Sequence, residues 1–270
     1  ICWYEYLPSL GIVVDAYDGY KENVNPSIDN FFSTVSYRYG HSEVSNLLLR
    51  VDDEGNEVPE GHLLLFDTFF SPTRAMTAGI DPILRGLSTM SNMEVDLRYE
   101  SSMQHFLFNL AGHGGSDLLS RNIQRGRDHG IPLYNECRQA FGLSRKRAFE
   151  EVSSNSATVQ ALKEVYGSDV DLCDAYVCGL AEDHVYTSNL GELFYTSMKE
   201  QYTRTRDGDR FYFENTASDG PQYTTEEIST LKSTHLRDII LVNTDVQRLP
   251  ANLFIMGVVA GLLKGWMPGS

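Results

Sequence analysis

Ser36-Tyr37-Arg38-Tyr39-Gly40-His41 closes an apolar run, Phe31-Phe32-Ser33-Thr34-Val35, and an Asp29-Asn30 pair stands where a helix would begin. Short carboxylate and amide side chains accept the orphan N–H groups of a first helical turn, so the stretch reads as a capped helix bearing a histidine. In a helix Arg38 and His41 are three apart and share a face. A neutral imidazole beside a guanidinium suits a ligand that is metal at its centre and carboxylate at its edge. Taken alone, a single histidine among aromatics reads more simply as a satisfied core residue.

A second stretch changes that balance. Asp117-Leu118-Leu119-Ser120-Arg121-Asn122-Ile123-Gln124-Arg125-Gly126-Arg127-Asp128-His129-Gly130 is too rich in charge and amide for an ordinary core helix. Asn122, Arg125 and His129 recur at spacings of three and four and fall on one side. Together with Tyr37-Arg38-Tyr39-Gly40-His41, this stretch resembles the animal-type haem peroxidase family. The resemblance continues, in the family's order, through Gly79-Ile80-Asp81-Pro82-Ile83-Leu84-Arg85-Gly86-Leu87, Ile131-Pro132-Leu133-Tyr134-Asn135 and Gly179-Leu180-Ala181-Glu182-Asp183. It ends in Arg206-Asp207-Gly208-Asp209-Arg210-Phe211-Tyr212-Phe213-Glu214-Asn215 and Asn243-Thr244-Asp245, so it spans nearly the whole chain.

The resemblance implies a mainly α, multi-helix domain over residues 1–252, followed by an apolar, glycine-containing tail at 253–270. It implies haem b as cofactor. His41 matches the family's axial ligand to the iron, and the oxygen of the Asn122 side chain would hold its other ring nitrogen and fix the tautomer. A neutral amide in that place leaves the imidazole less anionic than an aspartate would, so the ferric state would be less strongly stabilised. Arg38 and Arg125 match the arginines that neutralise the haem propionates. Arg127, Asp128 and His129 are expected to form an ion-paired cluster at the helix end.

A peroxidase also needs a distal histidine to move peroxide protons and an arginine to stabilise charge. In the family these lie upstream of the proximal histidine, with the calcium loop and the acids that bond to haem. None of the 40 residues before His41 matches them. The chain therefore reads as the proximal half, either a fragment of a longer or processed polypeptide or a short protein without its distal half; a start in mid-domain favours the fragment. Calcium would bind only in the full-length protein. The expected partners are hydrogen peroxide and a halide or small organic donor. One alternative is a degenerate domain kept for haem binding or interaction. Another is a fatty-acid dioxygenase, whose radical tyrosine sits three residues before the proximal histidine; Arg38 stands there, and Tyr37 and Tyr39 are out of phase.

Composition agrees with a globular chain. Its 270 residues are long enough for a large core, and 41% are hydrophobic. A net charge of −15 argues against a nucleic-acid partner. The one dense basic run, Arg145-Lys146-Arg147, is followed by Glu150 and Glu151 and reads as a solvated helix face. No CxxC pair occurs among Cys2, Cys137, Cys173 and Cys178, so a zinc site is not expected. Cys173 and Cys178 could pair only across a local turn. Relatives often carry cysteines where this chain has Phe141 and Leu241, so the expected extracellular or secretory location rests on the resemblance more than on cysteine usage. The apolar stretch at residues 253–263 is too short to span a bilayer; a surface tail is expected, a truncated anchor being the alternative.

Residues 3–10 predict a short aromatic helix. The His41 helix is predicted to run on through Val44, Leu47 and Leu48 as a long central element. Pro72 reads as a stop, and Asp81-Pro82 as a start. Helices are predicted over 93–108, from the Ser116 or Asp117 cap to Gly130, from Pro132 to Gly142, over 156–166, over 189–204, after the Thr224-Thr225-Glu226-Glu227 capping box, and over 235–242. His113 falls in a glycine loop and is expected to face solvent.

Overall fold

The structure, a computed structural model, describes residues 1–107 and 115–256. His113 lies outside them, as does the tail beyond 256; of that tail's start, the Phe254 ring packs edge-on against Tyr6. The molecule is mainly α-helical, as expected. A π-helical turn, Cys2–Tyr6, leads into α1 (Leu7–Ser9). Asp29 then caps α2 (Asn30–Thr34), its carboxylate accepting the Phe32 N–H at 2.6 Å.

The long helix expected next does not form. Val35 leaves helical geometry (φ −123°, ψ −78°), and Ser36–His41 is a 3₁₀ turn. Residues i and i+3 eclipse in a 3₁₀ turn, so Arg38 and His41 still share an edge. Beyond it Leu47–Leu48 (β1) pairs antiparallel with Leu63–Leu64 (β2), Leu47 opposite Leu64. An apolar pair carries no period that separates helix from strand. Asp52, which accepts the N–H groups of Glu54 and Asn56, supplies the turn that brings β2 back. Pro72 starts α3 (Pro72–Ala75) instead of stopping the chain, because its missing N–H costs nothing in a first turn. α4 (Asp81–Thr89) begins at Asp81-Pro82, as predicted.

Residues 93–108 are not one helix either. The Ser42 hydroxyl bonds to the Glu94 and Asp96 carbonyls and to the Asp96 N–H, and the Met93 N–H goes to the Glu43 carbonyl. Those backbone groups are thereby committed outside a helix, and only Ser102–Phe106 forms a π-helical turn. α5 (Leu118–Asp128) is capped by Asp117, and α6 (Tyr134–Ala140) follows Pro132. The Arg145-Lys146-Arg147 run lies in a loop, not on a helix, and Arg145 pairs with Asp171 at 2.7 Å. α7 (Ser156–Tyr166) starts at the Asn155 cap and ends at Gly167 (φ +68°). α8 (Ala175–Ala181) has no counterpart among the predicted helices. α9 (Glu192–Asp207) starts three residues later than expected, at the Gly191 N-cap. The predicted capping box opens α10 (Thr225–Ser233), and α11 (Leu236–Asn243) follows.

One hydrophobic cluster unites these elements, including Leu7, Ile12, Phe32, Val35, Tyr134, Phe149, Leu162, Leu193, Phe194 and Met198. α9 crosses it and touches α2, α8 and the Ser36–His41 turn. The α8–α9 approach is close: a Cβ on Gly179 would lie 2.2 Å from the Phe194 ring. Beside the cluster sits a buried ion network. Arg138, 1% exposed, donates to Glu182, Glu192 and the Ser144 carbonyl, while the Tyr134 hydroxyl donates to Glu182. Cys173 and Cys178 are disulfide-bonded, the turn between them being the start of α8; Cys2 and Cys137 are free. No helix among the described residues is long and apolar enough to cross a membrane.

Candidate functional site

Two segments 81 residues apart in sequence meet at one hydrogen bond. Asn122, in the middle of α5, is fully buried, and its Nδ2 lies 2.8 Å from Nδ1 of His41. In this orientation the amide nitrogen faces the ring, and the Asn122 side chain holds His41 at Nδ1, leaving Nε2 on the other side of the ring. Burial holds the His41 pKa below the usual imidazole value, and the nearby Arg38 charge acts the same way. His41 is half-buried, and among the described residues Nε2 has no hydrogen-bond partner.

The pairing of residues 41 and 122 is as the sequence predicts, but the amide faces the other way. Its oxygen was expected to receive the His41 proton; instead Oδ1 accepts from the Arg38 guanidinium at 3.0 Å. The reason lies in the neighbours. Arg38 offers only donors and so claims the oxygen, which turns Nδ2 toward His41 and toward the Tyr176 hydroxyl, 3.1 Å away.

Of the two arginines, Arg38 bonds into this arrangement. Arg38 is part-buried, and its Nε donates to the Ser33 carbonyl at 3.1 Å. Arg125, one turn beyond Asn122 on α5, is exposed. Among the described residues neither comes within ion-pairing distance of a carboxylate. Two uncompensated guanidiniums, a neutral imidazole and a neutral amide can together receive an anionic ligand that carries a metal.

The expected Arg127-Asp128-His129 cluster does not close on itself. Arg127 forms a two-bond pair with Asp174, Asp128 accepts from Gln124, and His129 Nδ1 lies against Thr34 and Asn30. The cluster thus ties the end of α5 to α2 and to the start of α8. None of these three faces His41.

Tyr176 was missed by sequence reasoning. It lies on α8, three residues before the recognised Gly179 block, and that adjacency is the signal that could have found it. Its hydroxyl donates to the Arg38 carbonyl at 3.0 Å and meets the Tyr99 hydroxyl as well as Asn122. Burial pushes its pKa up to about 12, so it stays a neutral phenol. Glu43 was also missed. It lines a cavity of about 550 Å³ with Tyr6, Tyr39, Asn92 and Asn189, whose wall does not include His41. Burial pushes the Glu43 carboxyl up to about 7, against the bonds it accepts from Asn92 and Asn189.

Comparison with known proteins bears on this geometry. The profile of the animal haem peroxidase family matches residues 1–254. Peroxinectin A of Dictyostelium discoideum is 40% identical over 214 residues, covering 79% of this chain and 40% of that protein. Thyroid peroxidase of Sus scrofa is 35% identical over 265 residues, 94% of this chain and 28% of its own. Among solved structures, peroxidase A from Dictyostelium discoideum superposes with a TM-score of 0.84 at 36% identity, covering 94% of this chain and 48% of that one. A fatty acid α-dioxygenase from Oryza sativa shares the fold at 20% identity, with a TM-score of 0.69 over 89% of this chain and 43% of its own. The chain thus spans less than half the length of each of these relatives.

Proposed function

Because the chain belongs to the animal haem peroxidase family, we propose that it supplies the proximal side of a haem peroxidase site. His41 would hold the iron through Nε2, with Asn122 holding the ring at Nδ1, and Arg38 and Arg125 would take the propionates. The observation that carries this reading is the Asn122–His41 bond: it anchors one ring nitrogen in the buried interior and leaves the other without a partner. The donor set fits the group, since the two guanidiniums lack internal counter-ions and the imidazole is neutral.

The cofactor is haem b. When bound it supplies the redox chemistry, cleavage of the peroxide O–O bond coupled to oxidation of a halide or small organic donor. The chain's own residues would orient the ligand ring and neutralise the carboxylate edge. The acid–base groups on the peroxide side, and any calcium site, are assigned to the part of the domain beyond these residues. Arg38 in place of a radical-forming tyrosine favours peroxidase over dioxygenase chemistry. The Cys173–Cys178 bond supports an oxidising compartment, extracellular or secretory.

Titration of the purified chain with hemin tests the reading. A Soret shift is expected in the wild type and not in His41→Ala. If the wild type shows no shift, the chain is an interaction domain without haem. Guaiacol oxidation by the loaded chain, alone and with the distal segment of a relative, then separates an inert haem binder from a working peroxidase.

A further inference from the structure

Three side chains of the conspicuous stretch from Arg206 to Asn215 help to line a cavity of about 570 Å³: Arg206, Tyr212 and Glu214. The N-terminal turn supplies Trp3 and Tyr4 to it, the loop before α2 supplies Tyr17, and α10 supplies Lys232. Aromatic rings make up much of the wall. Tyr17 packs 4.8 Å from Tyr212, and Trp3 stands edge-on to Tyr212 at 6.0 Å. The Arg206 guanidinium lies over two of these rings, 5.5 Å from Trp3 and 5.6 Å from Tyr17. A cavity of this size holds a small organic molecule, and walls of this kind favour a planar aromatic one.

The polar groups of the wall decide what that molecule must carry. Glu214 is answered from within: it accepts from the Tyr4 hydroxyl at 2.8 Å, the Tyr212 hydroxyl at 3.2 Å and Lys232. Asp207 accepts from Arg206 and Lys21, and Asp15 is exposed while its carbonyl accepts from Arg206. What remains unspent gives hydrogens. Arg206 is only 6% exposed; its Nε and Nη1 go to Asp207 and Asp15, and among the described residues its Nη2 has no hydrogen-bond partner. The Tyr17 hydroxyl is buried and also without a partner among them, and burial raises its pKa, so it keeps its proton. A guanidinium edge and a phenol with hydrogens to give call for a group that accepts two donors at once, and a carboxylate does so. We propose that this cavity binds a planar aromatic carboxylate, its ring against Trp3, Tyr17 and Tyr212 and its carboxylate on Arg206 Nη2 and the Tyr17 hydroxyl. None of these residues is among those assigned to haem, so the two readings stand or fall separately.

Titration of the purified chain with 2-naphthoate tests the site, with no hemin added. In a Trp266→Phe background Trp3 is the only indole, and its ¹H–¹⁵N signal reads occupancy of the cavity. Saturable movement of that signal is expected. The alcohol 2-naphthalenemethanol, which keeps the rings and lacks the carboxylate, should bind about tenfold more weakly. Tyr17→Phe should weaken naphthoate binding about tenfold and leave the melting temperature unchanged or higher, because the hydroxyl it removes has no partner. Val13 lines the cavity and is 71% exposed, so Val13→Trp should fold and close the site. A Trp3 signal that does not move overturns the proposal. So does equal affinity for the alcohol, an undiminished affinity in Tyr17→Phe, or a Val13→Trp chain that binds as the wild type does.

Discussion

Two arginine environments flank α8, and they are built on opposite plans. At the C-terminal end, Arg138 is 1% exposed and answered entirely from within by Glu182, Glu192 and the Ser144 carbonyl. At the N-terminal end, Arg38 faces an amide and a carbonyl, and Arg125 faces solvent. A guanidinium that the fold needs is neutralised by the fold. Arg38 and Arg125 keep charges that no carboxylate among the described residues answers. One short helix serves both ends, Tyr176 pointing to the Asn122 amide and Glu182 to Arg138.

The largest test falls on the closed end. Glu182→Ala leaves a buried guanidinium with only the partly exposed Glu192 carboxylate and should cost about 3–5 kcal/mol in urea unfolding. A loss below about 1 kcal/mol would erase the distinction between the two ends. Next comes the brace. Cys173→Ser with Cys178→Ser opens a short loop and should cost about 2 kcal/mol, seen as a drop in melting temperature. Third, Arg38→Ala should weaken hemin binding about tenfold and Arg125→Ala less; stability should change by under about 1 kcal/mol in Arg125→Ala and fall by about 1–3 kcal/mol in Arg38→Ala, which strips the buried Asn122 oxygen of its donor. A larger stability loss in either would mark that arginine as structural.

The smallest effect concerns Glu43, an acid bonded to two amides and paired with no base among the described residues. Its folded pKa, about 7, lies above the ordinary carboxylate value. The folded state therefore binds the proton more tightly than the unfolded chain. That contribution is complete below about pH 4.5 and is lost as pH rises toward and through 7. Glu43→Gln should flatten this decline, raising stability at pH 8 by about 1 kcal/mol relative to wild type. Melting temperatures across pH 5 to 8 check it, and parallel curves for the two proteins would refute it.

The residues of the site were legible because they are chemically conspicuous. An Asn-Ile-Gln-Arg-Gly-Arg-Asp stretch has no reason to exist on an ordinary helix, and capped elements such as α7 announce both ends. What escaped reading was decided by partners distant in sequence. Val44, Leu47 and Leu48 fit a helical period, yet Leu63 and Leu64 claimed the leucines for a strand pair. α8 was invisible because six of its seven residues are buried, so no polar face marks a period. The amide direction at Asn122 depends on Arg38 and Tyr176 together, and no local pattern encodes an agreement among three segments.

Gly179 carries a consequence for anyone who reads mutational tolerance as a map of chemistry. With Phe194 standing where its side chain would go, even alanine collides there unless the ring moves. A saturation survey would score this position as intolerant as His41, although here the cause is packing. Isosteric relief separates the two kinds of intolerance: trimming Phe194 to leucine should readmit alanine at 179, whereas no second change should readmit it at 41.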